Sequence, residues 1–113
     1  MGVSVDKILE RTPVAEKQLH EYTAELVRNV EREKAYIDSV LERHLDHWSL
    51  SRLGSLERSI MRIAAFEILR DSAIPDAVAV TEAVELSKRY VSEEARMLVN
   101  GVLGAVVESQ GQD

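Results

Sequence analysis

Apolar residues recur every three or four positions along almost the whole chain, and the cleanest run is the last one. Ala95, Leu98, Val99, Val102, Leu103, Val106 and Val107 fall at i, i+3, i+4, i+7, i+8, i+11 and i+12, the spacing of one helix face. This predicts a helix over 92–109, with Ser92 as N-cap and Glu93 and Glu94 in the first turn, where the helix dipole favours acids. Over 55–71, Leu56, Ile60, Ile63 and Ala64 share one face at 100° per residue. Met61, Phe66, Ile68 and Leu69 wrap much of the rest. That helix should be central and buried on most sides. Between the two, Ile74-Pro75 ends a turn, and Asp76 is positioned to cap a helix over 76–90.

The first half is helix-forming from Thr12-Pro13, a start signal that puts proline where its missing N–H costs nothing. Two stripes follow: Leu19, Tyr22, Leu26 and Val30, then Ile37, Val40, Leu41, Leu45 and Trp48. Glu31-Arg32-Glu33-Lys34 separates them and contains no apolar residue. Residues 13–47 are therefore one long helix crossing a gap or a kinked pair, and the single helix is the preferred reading. Residues 1–12 are expected to be a short helix or disordered. Trp48 to Ser55, with Gly54, reads as a turn.

Composition narrows this to an all-α protein, a compact bundle of about five helices in one domain spanning 1–113. Two prolines and five glycines leave little material for the turns of a many-stranded fold. One Phe, one Trp and three Tyr make the core aliphatic. With no cysteine, thiolate metal sites and disulfides are excluded. No signal-like apolar run stands at the start and no stretch of about 18 apolar residues occurs, so no membrane partner and a cytoplasmic location are expected. A formal net charge of −6 argues against indiscriminate binding to nucleic acid, while leaving room for a local basic patch.

Several residues stand out against this background. Glu67 lies on an apolar face, with Arg52 and Arg70 flanking it. Such a carboxylate is expected to be a buried structural acid tied to a cation, and no second acid or His converges on it to suggest catalysis. His44 and His47, with Asp38 and Asp46 nearby, have spacing a metal could use, but no third ligand stands out. A solvated helix end is the better reading, and no metal is expected. Asn100-Gly101 sits mid-helix, where glycine costs about 1 kcal/mol relative to alanine. Tight helix packing or a contact surface would explain it. Lys88, Arg89 and Arg96 flank the Tyr90-Val91-Ser92 turn and could form a phosphate-binding edge, although distributed charges, Arg58 and Arg62 among them, more often make a solvated face. No phosphate loop or catalytic triad is present, so neither an enzyme nor a cofactor is expected.

The chain resembles the NusB family of transcription antitermination factors. The resemblance rests on Tyr36-Ile37-Asp38, Trp48-x-Leu50-x-Arg52-Leu53, Glu57-Arg58-x-Ile60-x-Arg62-Ile63-Ala64-x-Phe66-Glu67, Ile74-Pro75, Glu82 to Leu86 and Val99-Asn100-Gly101-Val102-Leu103. It implies two small packed helical subdomains and no catalysis. It also implies joint binding, with the small-subunit ribosomal protein NusE, of the boxA element of nascent ribosomal RNA, within an RNA polymerase antitermination complex. On that basis Lys88, Arg89, Arg96 and Asn100 are the expected RNA contacts, and Glu57, Arg58 and Tyr90 the expected partner contacts. Members of the family usually begin with an arginine-rich helix that this sequence lacks, and Met97 and Leu98 stand where a basic or aromatic residue is common. The sequence thus reads as a truncated, mis-started or divergent member. Its alternative role is a protein-interaction module with weak or no RNA binding. An apolar groove beside the Leu19–Val30 stripe would favour a homodimer or another helix.

Overall fold

The computed structural model describes residues 14–46 and 49–110, with side chains from residue 21 onward. Five α-helices account for most of them: α1 Val14–Arg32, α2 Lys34–Arg43, α3 Ser55–Arg70, α4 Asp76–Tyr90 and α5 Glu93–Gln110, with a 3-10 turn at Leu50–Arg52 between α2 and α3. No strand occurs among the described residues. The expected start signal at Thr12-Pro13, and His47 and Trp48, lie outside the described residues.

The segment preferred as one long helix is two, separated at Glu33, in the stretch that no apolar residue anchors. Glu33 departs from helical geometry at φ −103° and ψ 15°. The ladder resumes at once on either side, with the Glu33 N–H donating to the Asn29 carbonyl (3.1 Å) and the Ile37 N–H to the Glu33 carbonyl (2.9 Å). The break is held from outside. Arg70, at the end of α3, donates to the Glu33 carboxylate at 2.8 Å, and its guanidinium lies 4.6 Å from the Tyr36 ring centre. Further along α2, Arg62 of α3 forks onto both oxygens of Asp38 at 2.7 and 2.9 Å, a charge-assisted geometry that fixes orientation as well as distance.

The core runs between α2, α3 and α5. Ile37, Leu41, Met61, Ala65, Val99, Leu103 and Val106 have no exposed surface. On α4, Ala79, Ala83 and Ser87, four apart, are all buried, and Ala79 and Ala83 line a cleft against α3. The Ser87 hydroxyl donates to the Ala83 carbonyl at 2.8 Å, so a polar group is buried without an unmet hydrogen bond. Leu56 departs from the expected apolar face of α3. It is 50% exposed. Asp76 is the first residue of α4, with Pro75 at the cap position.

The cap read at Ser92 is present, its Oγ accepting from the Ala95 N–H at 3.0 Å. Ser92→Ala should lower unfolding free energy by about 1 kcal/mol, measured by urea denaturation, and Ser92→Asp should restore it.

Candidate functional site

α5 presents two faces. Val99, Val102, Leu103 and Val106 are buried. The opposite flank, Glu94, Met97, Leu98, Gly101 and Ala105, lines two adjoining clefts that share Leu98. One cleft, about 370 Å³, is closed at its far side by Arg52, Gly54 and Glu57 and reaches Ser92 at the α4–α5 turn. The other, about 420 Å³, is bounded by His44 and Asp46 at the end of α2. From Glu94 to Ala105 the groove follows roughly 16 Å of helix, at 1.5 Å per residue.

Gly101 lies in this groove. A Cβ built there would meet nothing within 4 Å among the described residues, so packing against them does not explain the glycine. Asn100 beside it is exposed, and Met97 is 62% exposed. The groove therefore combines a shallow apolar floor, bare backbone at Gly101 and a rim of mixed charge in which Glu57, Glu94 and Asp46 outnumber Arg52. Such a surface fits a folded protein partner better than a phosphate backbone.

The other expected residues distribute as follows. Glu57 and Arg52 stand together at one end of the groove. Arg58 points away from it, donating to the carbonyls of Leu53 and Ser51. It braces the 3-10 turn from below, as Glu42 does by accepting the Leu50 N–H at 2.9 Å. Tyr90 is 61% exposed at the α4–α5 turn, with Arg89 against its ring. Arg96 is paired with Glu93 one turn earlier on α5, which partly neutralises it. Lys88 is exposed. Arg89 lines a different cleft, with Glu82, Glu85 and Leu86, so the basic positions do not converge on the α5 groove. In the sequence, Lys88, Arg89 and Arg96 stand out by the turn they flank, Asn100-Gly101 by its place mid-helix, and Glu57, Arg58 and Tyr90 through the family resemblance. The braces at Glu42 and Arg58 depend on a turn whose geometry no periodicity announces.

Glu67 corrects an expectation. It is half-buried, not sealed in the core, and Arg52 is exposed on the 3-10 turn. No ion pair reaches Glu67 among the described residues, since Arg70, the other expected partner, is committed to Glu33. Glu67 instead looks across to a second acid, Glu82, in a cleft between α1, α3 and α4. Burial above all, then Glu82 and Asp71, push its carboxyl above the ordinary glutamate range. A carboxyl whose proton is held more tightly in the folded state adds stability at acid pH. That contribution fades as pH climbs from the ordinary glutamate range through its raised folded value. Glu67→Gln should therefore raise Tm at pH 7 and flatten the Tm profile across that window. Equal profiles for both proteins would contradict this environment for Glu67. No group of three or more His, Cys, Asp or Glu able to hold a metal occurs among the described residues.

A bundle of this kind, with no strand among its described residues and an open groove along one flank of α5, belongs to the all-α class. Comparison with known proteins narrows the class. A family model described as the NusB family matches residues 3–108. The chain is 40% identical over 108 residues to a transcription antitermination protein NusB of Beutenbergia cavernae, covering 94% of this chain and 71% of the relative. It is 36% identical over 110 residues to the protein of that name in Thermobifida fusca, covering 96% and 78%. Among solved structures it is similar to T. maritima NusB, with a TM-score of 0.77 and 34% identity over 81% of this chain and 65% of that one. It is similar also to a chain in a structure described as "Crystal Structure of a Plectonemic RNA Supercoil", with a TM-score of 0.78 and 34% identity, covering 86% and 70%. The chain belongs to the NusB family.

Proposed function

We propose that this protein is a transcription antitermination factor that binds boxA-type RNA of nascent ribosomal RNA transcripts together with the NusE small-subunit ribosomal protein. Family membership supports antitermination, because the relatives just named carry that description. The observation that carries the site is Gly101, a mid-helix glycine with open space before it among the described residues. The backbone of α5 is bare where a partner could approach it closely.

The groove's chemistry orders the two ligands. Its apolar floor and mostly acidic rim suit the ribosomal protein, with Glu57 and Tyr90 at the contact. RNA then lies along the edge carrying Arg96 and Asn100, with Lys88 and Arg89 further round. Arg96 must exchange Glu93 for phosphate, and the net charge of −6 supplies no long-range attraction. RNA affinity of the isolated chain is therefore weak, and the partner raises it.

Fluorescence anisotropy with a boxA oligonucleotide, titrated with and without NusE, tests this. The expected result is NusE binding alone, boxA binding that strengthens at least tenfold when NusE is present, and loss of that gain with Glu57→Lys. NusE binding with no boxA preference in the ternary mixture would leave a protein-interaction module. No binding of NusE or boxA at micromolar concentration would remove the antitermination reading.

A further inference from the structure

Surplus positive charge gathers in a notch between α2 and α3, beside the 3-10 turn. Lys34, Asp38 and Glu42 of α2, Ser51 of the turn, and Arg58 and Arg62 of α3 line a recess of about 400 Å³. Lys34, Asp38 and Glu42 stand four apart on one helix face, as do Arg58 and Arg62 on theirs. Three cations there meet two acids. In the α5 groove and in the clefts beside α4, acids outnumber arginine and lysine among the described residues. In a chain of net charge −6, the notch is the recess that favours an anion.

The acids in the notch are committed, while two of its cations have donors to spare. Both oxygens of Asp38 accept from Arg62, from Nε at 2.7 Å and Nη2 at 2.9 Å. Glu42 accepts the Leu50 N–H at 2.9 Å. Arg58 uses one nitrogen, Nη1, for the carbonyls of Leu53 and Ser51, and the rest of its guanidinium has no partner among the described residues. Lys34 is exposed and makes no hydrogen bond or ion pair among them. The Ser51 hydroxyl adds a small polar group on the turn. Two helices and a turn thus bring donors to one recess. A phosphate group, whose oxygens point in several directions, can accept from such a set, whereas a carboxylate offers two oxygens in one plane.

The notch also adjoins the groove along α5. Leu50 and Ser51 line the notch, and the next two residues, Arg52 and Leu53, line the groove. On α3 the same division falls between Arg58 and Glu57. A strand that crosses the 3-10 turn passes from one recess into the other.

We propose that the notch binds one phosphate group, held by Lys34 and Arg58 beside the Arg62–Asp38 fork. The group comes either from the backbone of an RNA strand that crosses the turn or from a small phosphate compound. The first source rests on the RNA binding proposed above. It would give the strand a contact that positions it without reading its bases.

Two titrations test the notch and separate the sources. In the first, affinity for boxA RNA in the presence of NusE is measured across a series of salt concentrations. Losing one single-strand phosphate contact in Lys34→Ala should lower the slope of log affinity against log salt by about 0.7. It should also weaken boxA and a scrambled RNA alike, and Lys34→Arg should keep the parent's slope. Arg28→Ala, which removes an exposed cation from α1, should leave the slope unchanged. In the second titration, pyrophosphate is added to the isotope-labelled full chain and followed by NMR. Saturable shifts should centre on Lys34, Ser51 and Arg58 and vanish in Lys34→Ala. The lowered slope places RNA in the notch. Saturable pyrophosphate binding with an unchanged slope places a small phosphate compound there. An unchanged slope with no saturable shift at these residues, or with shifts spread over all exposed cations, overturns the proposal. In that case boxA and NusE binding at the parent's strength leaves the proposed function standing. If the parent binds neither, that function falls and the pyrophosphate titration alone decides the notch.

Discussion

Leu103→Ala should cost about 3 kcal/mol of unfolding free energy, the largest loss expected from any single truncation on α5. Leu103 has no exposed surface and belongs to the same buried cluster as Met61, Ala65 and Val99. Helices α2, α3 and α5 supply most of that cluster, and each is held by the others, so the cavity left by truncation has little freedom to collapse. Small domains are stable by only roughly 5–15 kcal/mol, so the variant should melt on the order of 15 °C lower. Scanning calorimetry and urea denaturation check the value. A control on the open side of the same helix, Met97→Ala, should change Tm little, because Met97 is 62% exposed. Equal losses at the two positions would mean that α5 is not packed as described.

The contrast between those positions also explains what the sequence could disclose. α3, α4 and α5 were legible because helical periodicity is local: seven apolar residues at the right spacing on α5 leave one solution, and the Ser92 cap follows three residues before Ala95. The separation at Glu33 was legible only as a gap. What holds it, Arg70 on Glu33, joins residues 37 apart, and no local pattern encodes that. The fork of Arg62 on Asp38 spans 24 residues and was hidden for the same reason; both residues looked like ordinary surface charges. Glu67 shows the opposite error. Of the two cations that flank it in the sequence, Arg52 sits on a turn whose direction the sequence does not fix, and Arg70 is committed to Glu33. The acid that does face it, Glu82, comes from another helix, α4, and no local pattern around Glu67 encodes that neighbour. Gly101 stands out in the sequence as an anomaly, and the open space before it among the described residues speaks against packing within that part of the chain.

Gly101→Ala should separate stability from function. The backbone at Gly101 is helical, with no positive φ at any described residue, and an added Cβ meets nothing within 4 Å. Alanine therefore fits without strain. It removes conformational freedom from the unfolded chain and should stabilise the fold by about 0.5–1 kcal/mol, an upward Tm shift on the order of 5 °C. Selection for stability alone would favour that exchange. If the glycine instead keeps the α5 groove shallow for the ribosomal protein, the same methyl group holds the partner off the bare backbone and weakens binding at least tenfold. Larger side chains at 101 extend the effect: Gly101→Leu should abolish partner binding while its circular dichroism and melting remain those of a folded helical protein. Calorimetric titration with NusE, alongside thermal melts of the same samples, reads both quantities. A stabilised Gly101→Ala that binds as tightly as the parent would remove the docking role from this position. A destabilised one would mean the space before Gly101 is filled from within the chain.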